Sequence, residues 1–593
     1  EKAAAEIHHA RKKDEFGGND SVQLNIFVPV VAQLSLSNIT ETIAEPEEPT
    51  IDLDGKGISN EVFALYAAPR NFFDKNDRIH IVQELALKYR FFHPQLEFLD
   101  VFWERGGFDL IAGNPPWLKL QFDESGIISE KYPEIEIRKE TAPKVRAMFA
   151  DFFSDERLKE IYLEEMLGTE CAAGFLNATQ NYPLLVGQQT NLYKCVLENG
   201  IYLLGNQGYM GLLHPEGVYD EPNGKTLRLQ IYSRLKYHFQ FINTLKLFQE
   251  ILHWVTFSVN VYSGFRSEPN FVSINNLYTP NTIDLSLIHD GAGSPGGVKV
   301  KDGNGNYTWN INPHKSRVIH YTSCDLQILA KAFDGSLNWE DAKLVSIHTK
   351  EFLNILVVLS NYPNRVIDTM NKTSEGWHET NAQEKSILIR KTIWPQYEKN
   401  ELIFSGPHFY VSNPFLKSPK EISRKPLDYD VIDLNEIDES FLPRTNYTPI
   451  EELKVYRKRL EGFPSEQWTT DFDYYLDHYK LIWSRMISLS GERSFQVAIA
   501  PPDTAHINTV NSIIFKNNKN LLELAGLSSS LVFDFFIKTI GRSDFRGSNI
   551  NNLPINVVDK YKLPLFSRTL LLNCLNNCYT SWWQDCWLKD YSH

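Results

Sequence analysis

The stretch from Phe108 to Trp117 constrains the fold of this chain most strongly. It reads Phe-Asp-Leu-Ile-Ala-Gly followed by Asn-Pro-Pro-Trp. The apolar first half predicts a short, buried strand of the parallel kind. Two consecutive prolines fix φ and remove two N–H donors, so this strand has to end near Asn114. We therefore expect a rigid loop at the carboxyl end of a strand, which is where open α/β sheets bind their ligands.

This loop carries a specific chemistry. The side-chain oxygen of Asn114 and the backbone carbonyl of Pro115 are two neighbouring acceptors, and Pro115 and Pro116 hold them in place. Both can accept from one exocyclic NH₂ group, which draws the nitrogen lone pair out of ring conjugation so that it can attack an electrophilic methyl group. Trp117 can stack on the planar base that carries the amine. The alternative is a strand that ends in a proline turn with an aromatic plug.

Asn-Pro-Pro-aromatic after such a strand resembles motif IV of the amino-methyltransferases that use S-adenosylmethionine (SAM). The longer form Gly106–Trp117, preceded by Phe91-Phe92-His93 and Glu97-Phe98, is most similar to the large adenine-N6 DNA methyltransferases of type IIG restriction–modification and of the BREX and DISARM anti-phage systems. The resemblance implies an α/β fold: a partial Rossmann-like class I methyltransferase domain followed by a mixed α+β target-recognition domain. It also implies SAM as cofactor, with Asn114 beside it, and double-stranded DNA and other defence-system proteins as partners.

Length and composition bound the class of protein. A chain of 593 residues exceeds one ordinary core, and 42% hydrophobic and 13% aromatic residues are ample for packed domains. The balance of 60 basic and 74 acidic residues argues against a uniformly cationic coat, although not against a local basic cleft. Six cysteines without framework spacing indicate a reducing compartment. No apolar run reaches membrane-spanning length, so we expect a cytoplasmic protein without a membrane partner.

Hydrophobic periodicity divides the chain into four predicted segments. These are an N-terminal helical or irregular segment (1–78), a catalytic domain (79–265) with a helix-prone insertion (118–185), a connecting region (266–375) and a target-recognition domain (376–593).

Within the catalytic domain an alternation of strands and helices indicates the α/β pattern. Predicted there are a helix over Ile79–Tyr89, a helix near Leu192 with Thr190 as its N-cap and Cys195 in the core, a strand Gly208–Leu213, a helix with Leu227, Ile231 and Leu235 on one face, and strands Phe241–Leu247 and Trp254–Tyr262.

The order of these elements resembles motifs V to VIII of the same enzymes. In that family an aromatic residue of the last motif closes on the other face of the flipped base, and His253 or Trp254 fits this position best. The alternative is an aromatic residue buried in a strand.

Basic residues interleaved with aromatic ones predict the DNA-binding surface of the C-terminal half. Between Ser386 and Lys425 there are seven basic and three acidic residues, and a second basic cluster surrounds Arg457. The predicted DNA contacts are Arg390, Lys391, Arg424, Arg457, Arg542 and Arg546. The alternative is a solvated face over an aromatic core. Three further pieces resemble the family: Ser405–Phe409, Leu442–Tyr447, and Glu492-Arg493 leading to Ala500-Pro501-Pro502.

Several motifs imitate other sites. The glycine-rich run 290–297 is followed by alternating residues, which predicts a hairpin turn and not a cofactor loop. Gly224-Lys225-Thr226 lacks the earlier glycine of a phosphate-binding loop. Cys574, Cys578 and Cys586 lack zinc-site spacing, so no metal is expected.

The family binds SAM mainly through a glycine-rich loop upstream of Asn-Pro-Pro, and residues 1–105 contain no such loop. It lies before Glu1, is supplied by a partner, or has been lost with catalysis; the non-Met start favours truncation.

Three functions remain open at this stage. The first is methylation of the N6 amine of adenine in DNA, which marks host DNA in a restriction or anti-phage system. The second is a catalytically inactive DNA-binding or assembly module that keeps the methyltransferase fold. The third keeps the chemistry of Asn114 but acts on RNA or on a glutamine amide in protein.

Overall fold

In the computed structural model the described residues are 77–140, 142–297, 299–423, 425, 428–450, 452–461, 474–488, 491–541 and 544–587. The predicted segment 1–78 lies almost entirely outside them. The chain divides into two compact units, Glu1–Leu212 and Leu213–His593. The predicted domain boundaries at residues 79, 266 and 376 stay predictions. The mixed α/β architecture with parallel and antiparallel strands confirms the predicted fold class.

The first unit is mainly helical around one parallel strand pair. Its elements are α1 (Asp77–Tyr89), α2 (Pro94–Glu97), α3 (Leu99–Arg105), β1 (Phe108–Gly113), α4 (Glu124–Ser129), α5 (Glu134–Arg138), α6 (Ala142–Ala147), α7 (Phe149–Phe152), α8 (Glu156–Asn177), α9 (Leu192–Leu203) and β2 (Leu204–Pro215), whose last residues belong to the second unit.

Strand β1 is parallel to β2, as its sequence predicts, with Ile111 opposite Met210 and Gly113 opposite Leu212. The prediction that β1 is buried was wrong, because the side chain of Leu110 is 70% exposed. The rings of Phe98 and Phe102 both contact the ring of Phe108, the first residue of the strand, edge to face. Beyond Phe108, the described elements leave both faces of β1 largely uncovered.

A tight glycine contact joins the start of β1 to β2. Gly107 has φ +145°, and a Cβ built there would lie 2.6 Å from the backbone nitrogen of Gly205 and 2.7 Å from the carbonyl oxygen of Leu203. The neighbouring Gly106 also has a positive φ, +73°, but a Cβ there would meet nothing within 4 Å. Of these two glycines, Gly107 alone is required by the packing of the two strands, and on β2 a Cβ at Gly208 would likewise lie 2.5 Å from the carbonyl oxygen of Phe108.

Gly107→Ala is expected to lower the free energy of unfolding of the first unit by about 3 kcal/mol or more, because backbone strain and overpacking act together. The matched change Gly106→Ala is expected to cost only about 1 kcal/mol, since strain acts alone. Urea unfolding of both variants followed by circular dichroism measures the difference. Equal destabilisation of the two variants would contradict the close approach of β1 and β2.

The insertion after Trp117 is helical, as predicted, and has its own core. Its helices α4 to α8 enclose a cluster of apolar side chains: Ile128, Ile135, Val145, Phe152 and Tyr162. Helix α9 then begins at Leu192, and its N-cap is Asn191, whose side chain accepts from the backbone N–H of Tyr193 at 3.4 Å. The predicted cap Thr190 was wrong, because its hydroxyl donates to the side chain of Asn177 instead. Cys195 is buried in the core, as predicted.

The second unit begins with α/β elements. They are α10 (Gly217–Asp220), α11 (Lys225–Tyr232), β3 (Leu235–Ile242), β4 (Thr256–Ser263), β5 (Asn270–Leu277), α12 (Asn281–Leu287), β6 (Lys299–Lys301), β7 (Tyr307–Trp309), β8 (Ile319–Thr322), α13 (Ser323–Leu329) and α14 (Lys350–Ser360). Strands β4, β3, β5 and β8 form a mixed sheet in that order, with β3 parallel to β5 and the other pairs antiparallel.

Three sequence predictions are corrected in this region. Leu235 begins β3 and does not continue the preceding helix, which ends at Tyr232. The strand predicted over Phe241–Leu247 is β3, which ends at Ile242. The strand predicted over Trp254–Tyr262 is β4, and Trp254 precedes its first residue, Thr256.

The remainder of the second unit consists of short strands followed by helices. The elements are β9 (Asn371–Ser374), α15 (Glu379–Glu384), β10 (Leu388–Ile393), β11 (Ile403–Phe404), β12 (Lys417–Pro419), β13 (Tyr429–Val431), β14 (Thr445–Pro449), α16 (Leu453–Glu461), β15 (Lys480–Ser484), β16 (Val497–Ala500), β17 (Ala505–His506), β18 (Val510–Phe515), α17 (Asn518–Ser528), α18 (Leu531–Ile540), α19 (Gly547–Ile550), α20 (Asp559–Asn573) and α21 (Thr580–Cys586).

An antiparallel sheet in the order β16, β15, β18 and β9 forms the centre of this region. Strands β10 and β14 form a separate antiparallel pair. The apolar cluster around them includes Leu388, Tyr447 and Tyr456, all buried.

Candidate functional site

The corner after β1 places an exposed acceptor beside a buried proline. Asn114 is exposed and Pro115 is buried, while Pro116 is exposed and Trp117 is partly buried. Within the part of the chain that the structure describes, the carboxamide of Asn114 makes no hydrogen bond, so it is available to a ligand. Pro115, anchored in the protein, fixes the direction in which the neighbouring carboxamide and its own carbonyl can point.

The corner is tied to the first turn of α9. The backbone N–H of Leu192 donates to the carbonyl of Leu118 at 3.0 Å, directly after Trp117. The N-cap Asn191 fixes the start of that helix. The chain leaves β1 through two prolines, and the hydrogen bond at Leu118 holds it again directly after Trp117. The four residues from Asn114 to Trp117 are therefore restrained at both ends.

His253 and Trp254 lie on an exposed loop of the second unit. Trp254 is 62% exposed, and its ring meets that of His253 edge to face, with centroids 4.8 Å apart. The carboxamide of the fully buried Asn243 donates to the carbonyls of Phe248 and Ile251, each at 2.8 Å, which braces this loop. The alternative of aromatic residues buried in a strand was wrong; base stacking by this pair stays a prediction.

A buried polar network at the end of β2 was missed by the sequence analysis. Within the second unit, Nδ1–H of His214 donates to the carbonyl of Pro215 at 2.8 Å, and Nε2 accepts from the hydroxyl of Tyr262 at 2.8 Å and from the side chain of Asn260 at 3.0 Å. Burial lowers the pKa of His214 to about 4, so the ring is neutral at pH 7. The only signal in the sequence is a histidine directly before the proline that ends the strand.

Glu216 follows in the same loop. Its carboxylate accepts from the side chain of Gln240 at 2.9 Å and lies 3.2 Å from Nε2 of His238. Burial acts to raise the pKa of Glu216, but the charge of His238 and hydrogen bonds from His238, Ser258 and Gln240 hold it below its ordinary value. The loop after β2 is therefore fixed by charged and polar contacts.

The predicted DNA contacts separate into two groups. Arg390 and Lys391 are exposed on β10 and form no ion pair among the described residues. Arg457 instead lies 3.3 Å from a carboxylate oxygen of Asp477 and 3.4 Å from one of Asp503.

Arg546 is paired in the same way, 3.1 Å from Asp544 and 3.4 Å from Glu375. Asp544 is also held by Arg485. The predicted contacts Arg424 and Arg542 lie outside the described residues.

Two of the family-like pieces of the C-terminal half contact each other. The fully buried His408, from Ser405–Phe409, accepts at Nδ1 from the backbone N–H of Ser405 at 2.9 Å. Its Nε2–H donates to the carbonyl of Arg444, from Leu442–Tyr447, at 2.9 Å. Burial lowers the pKa of His408, which keeps the ring in this neutral form. The buried ring of His408 therefore joins the two pieces to each other.

The described residues offer a cofactor only part of a site. The glycine-rich run 290–297 leads into the antiparallel pair β6–β7, as predicted, and a Cβ at Gly297 would lie 2.3 Å from the ring of His348. It does not fit the nucleotide part of SAM, so we assign no residue other than Asn114 to the cofactor.

The described residues contain neither a metal site nor a single membrane-spanning helix. No cluster of His, Cys, Asp or Glu has the arrangement of a metal site. No single helix among the described residues is long and apolar enough to cross a membrane. Helices α17 and α18, which form a bent pair, reach the required length and apolar composition only when they are taken together.

No protein-family model and no curated protein matches the sequence. Similar solved structures are restriction–modification enzymes. The type IIG restriction endonuclease BpuSI is 12% identical, over 70% of this chain and 48% of its own, with a TM-score of 0.22. The type IIL restriction–modification enzyme MmeI, solved with DNA, is 10% identical, over 81% of this chain and 55% of its own, with a TM-score of 0.34.

A type I restriction–modification methyltransferase subunit from Streptococcus thermophilus is 14% identical, over 34% of this chain and 35% of its own, with a TM-score of 0.19. The chain spans about half the length of BpuSI and MmeI. These neighbours include methyltransferase-containing enzymes, but at such TM-scores the assignment of chemistry has to rest on the residues of this chain.

Proposed function

We propose that this chain binds the amine acceptor in SAM-dependent methylation of adenine N6 in double-stranded DNA, within a bacterial restriction–modification or anti-phage system. The observation that carries the proposal is the corner after β1. There Asn114 is exposed and makes no hydrogen bond in the described part of the chain, while Pro115 beside it is buried. An exposed acceptor oxygen next to a buried, conformationally restricted proline can be offered to a ligand in a fixed backbone geometry.

The residues of the corner act on the amine and its ring. An adenine has to leave the stack before its N6 can be reached. The side-chain oxygen of Asn114 and the carbonyl of Pro115 then accept the two N6 hydrogens, which localises the lone pair on nitrogen. Trp117 stacks on the purine. SAM, when bound, supplies the electrophilic methyl group; the corner contributes proximity and orientation, which carry a large part of the rate in such reactions.

Transfer of labelled methyl groups from SAM tests the proposal. The complete gene product is incubated with tritiated SAM and genomic duplex DNA that lacks methylation, and the DNA is digested to nucleosides. Label in N6-methyl-2′-deoxyadenosine is the expected result. Label in a cytosine derivative, or in RNA or protein glutamine offered in parallel, would overturn the adenine assignment. Binding of DNA without transfer to any acceptor would favour the catalytically inactive module.

A further inference from the structure

The two exposed cations of β10 stand on an isolated pair of strands. Strand β10 pairs with β14 with Ile389 opposite Thr448 and Arg390 opposite Tyr447. Thr445, Asn446 and Tyr447 in β14 are buried, whereas Ile389, Arg390 and Lys391 in β10 are exposed. The ribbon is therefore anchored through β14 and presents β10 to the solvent.

A stacked pair of planar side chains closes one end of this ribbon. Trp394 directly follows β10 and Arg444 directly precedes β14. The guanidinium carbon of Arg444 lies 4.4 Å from the centroid of the Trp394 ring, which is 57% exposed. The backbone of Arg444 is held by Ser418, whose hydroxyl accepts at 2.9 Å, and by His408. The backbone of Arg444 is thus held in place, while more than half of the Trp394 side chain stays exposed to solvent.

Arg390 and Lys391 differ from the other predicted DNA contacts among the described residues in their ion pairing. Arg457 and Arg546 lie beside carboxylates, whose negative charge offsets part of the positive charge that would attract a phosphate. Arg390 and Lys391 have no carboxylate partner among the described residues, so no ion pair within this part of the chain competes with a phosphate. An exposed tryptophan under a guanidinium adds a planar face suited to a base or sugar.

We propose that β10, the exposed strand of the β10–β14 ribbon, lies along the backbone of double-stranded DNA, with Arg390 and Lys391 on phosphates and the Trp394–Arg444 stack beside them. The assignment rests on the proposed function for its choice of DNA as substrate. It names the element that holds the DNA, which neither the corner after β1 nor the ion-paired arginines supply.

Binding of a short fluorescein-labelled DNA duplex to the complete protein, measured by anisotropy over a series of salt concentrations, tests the assignment. The double variant Arg390→Gln, Lys391→Gln is expected to weaken binding at least about 10-fold and to reduce the slope of log K against log salt by about 2, one for each phosphate that is no longer neutralised. Trp394→Ala is expected to weaken binding with an unchanged slope, because it removes stacking and no charge.

Arg568→Gln is the matched control, since Arg568 is an exposed arginine on α20, outside the ribbon. It should bind as the parent does. Parental affinity in the ribbon variants would overturn the inference, as would stronger binding of RNA duplex or polyglutamate through the same residues. Methylation with unaffected binding by the ribbon variants would refute the ribbon alone. Ribbon-dependent binding without any methyl transfer would refute the proposed function alone.

Discussion

Asn114→Ala is expected to reduce methyl transfer to DNA at least about 100-fold, the cost of removing one preorganised polar group from a reaction centre. The loss should appear in kcat, because the acceptor oxygen acts on the amine only once the base is in place. Asn114 is exposed, so folding should be unaffected. Single-turnover transfer from labelled SAM, together with duplex binding by anisotropy, separates the two steps.

Asn114→Asp is the matched variant, because it keeps an acceptor oxygen at the same distance from the backbone. It should retain more transfer than the alanine variant. Parental turnover in Asn114→Ala would refute the role of this residue. Equal inactivity of both variants, with intact DNA binding, would show that something other than the acceptor oxygen is required.

The second unit is expected to lose most of its stability between pH 6.5 and pH 4. Burial lowers the pKa of His214, of His348 and of His506 to about 4 each. Arg317 also lowers the pKa of His348, and Lys480 that of His506. In the unfolded chain a histidine has a pKa near 6.5. Between that pH and about pH 4 the unfolded state therefore binds protons at these histidines, while the folded state does not.

The direction of the pH dependence of stability follows from this difference in histidine pKa between the folded and the unfolded state. The stability is fully present above about pH 6.5 and falls as the pH drops, by about 1.4 kcal/mol per histidine for each pH unit, until the folded state is protonated near pH 4. Three such groups are sufficient to unfold a domain of ordinary stability. Urea unfolding at pH 7 and at about pH 5.5 measures the slope.

His348→Gln should flatten this slope by the contribution of one group, because glutamine can still donate to the carbonyl of Gly296 that His348 contacts at 2.8 Å. His320→Gln is the control, since His320 is an exposed histidine of the same unit, on β8. Identical slopes in the two variants would show that His348 does not remain neutral in the folded protein.

Local sequence patterns were sufficient for the strand β1, its parallel pairing and the loop that ends it. Prolines and apolar runs act through the backbone of a few neighbouring residues, so a single sequence reports them. The exposure of Leu110 could not be predicted in this way, because burial depends on what packs against a strand. The same limit applied to Trp254, whose place just outside β4 depends on where the partner strand β3 ends.

Partner choice was the second limit. Thr190 and Asn191 are both good N-caps by residue type, and only the packing of Asn177 against Thr190 decides between them. Arg390 and Arg546 look alike as members of basic clusters. The structure separates them, because Glu375 approaches Arg546 from 171 residues away along the chain.

The hydrogen bond between Leu192 and Leu118 has an architectural consequence. The chain departs and returns at one point, and the helices between enclose the core of Ile128, Ile135 and Phe152. The insertion is therefore a separately packed segment whose two ends lie next to each other. A short turn spanning that single gap would in principle replace it, so the region can be resized or exchanged as a cassette while the proline corner keeps its position.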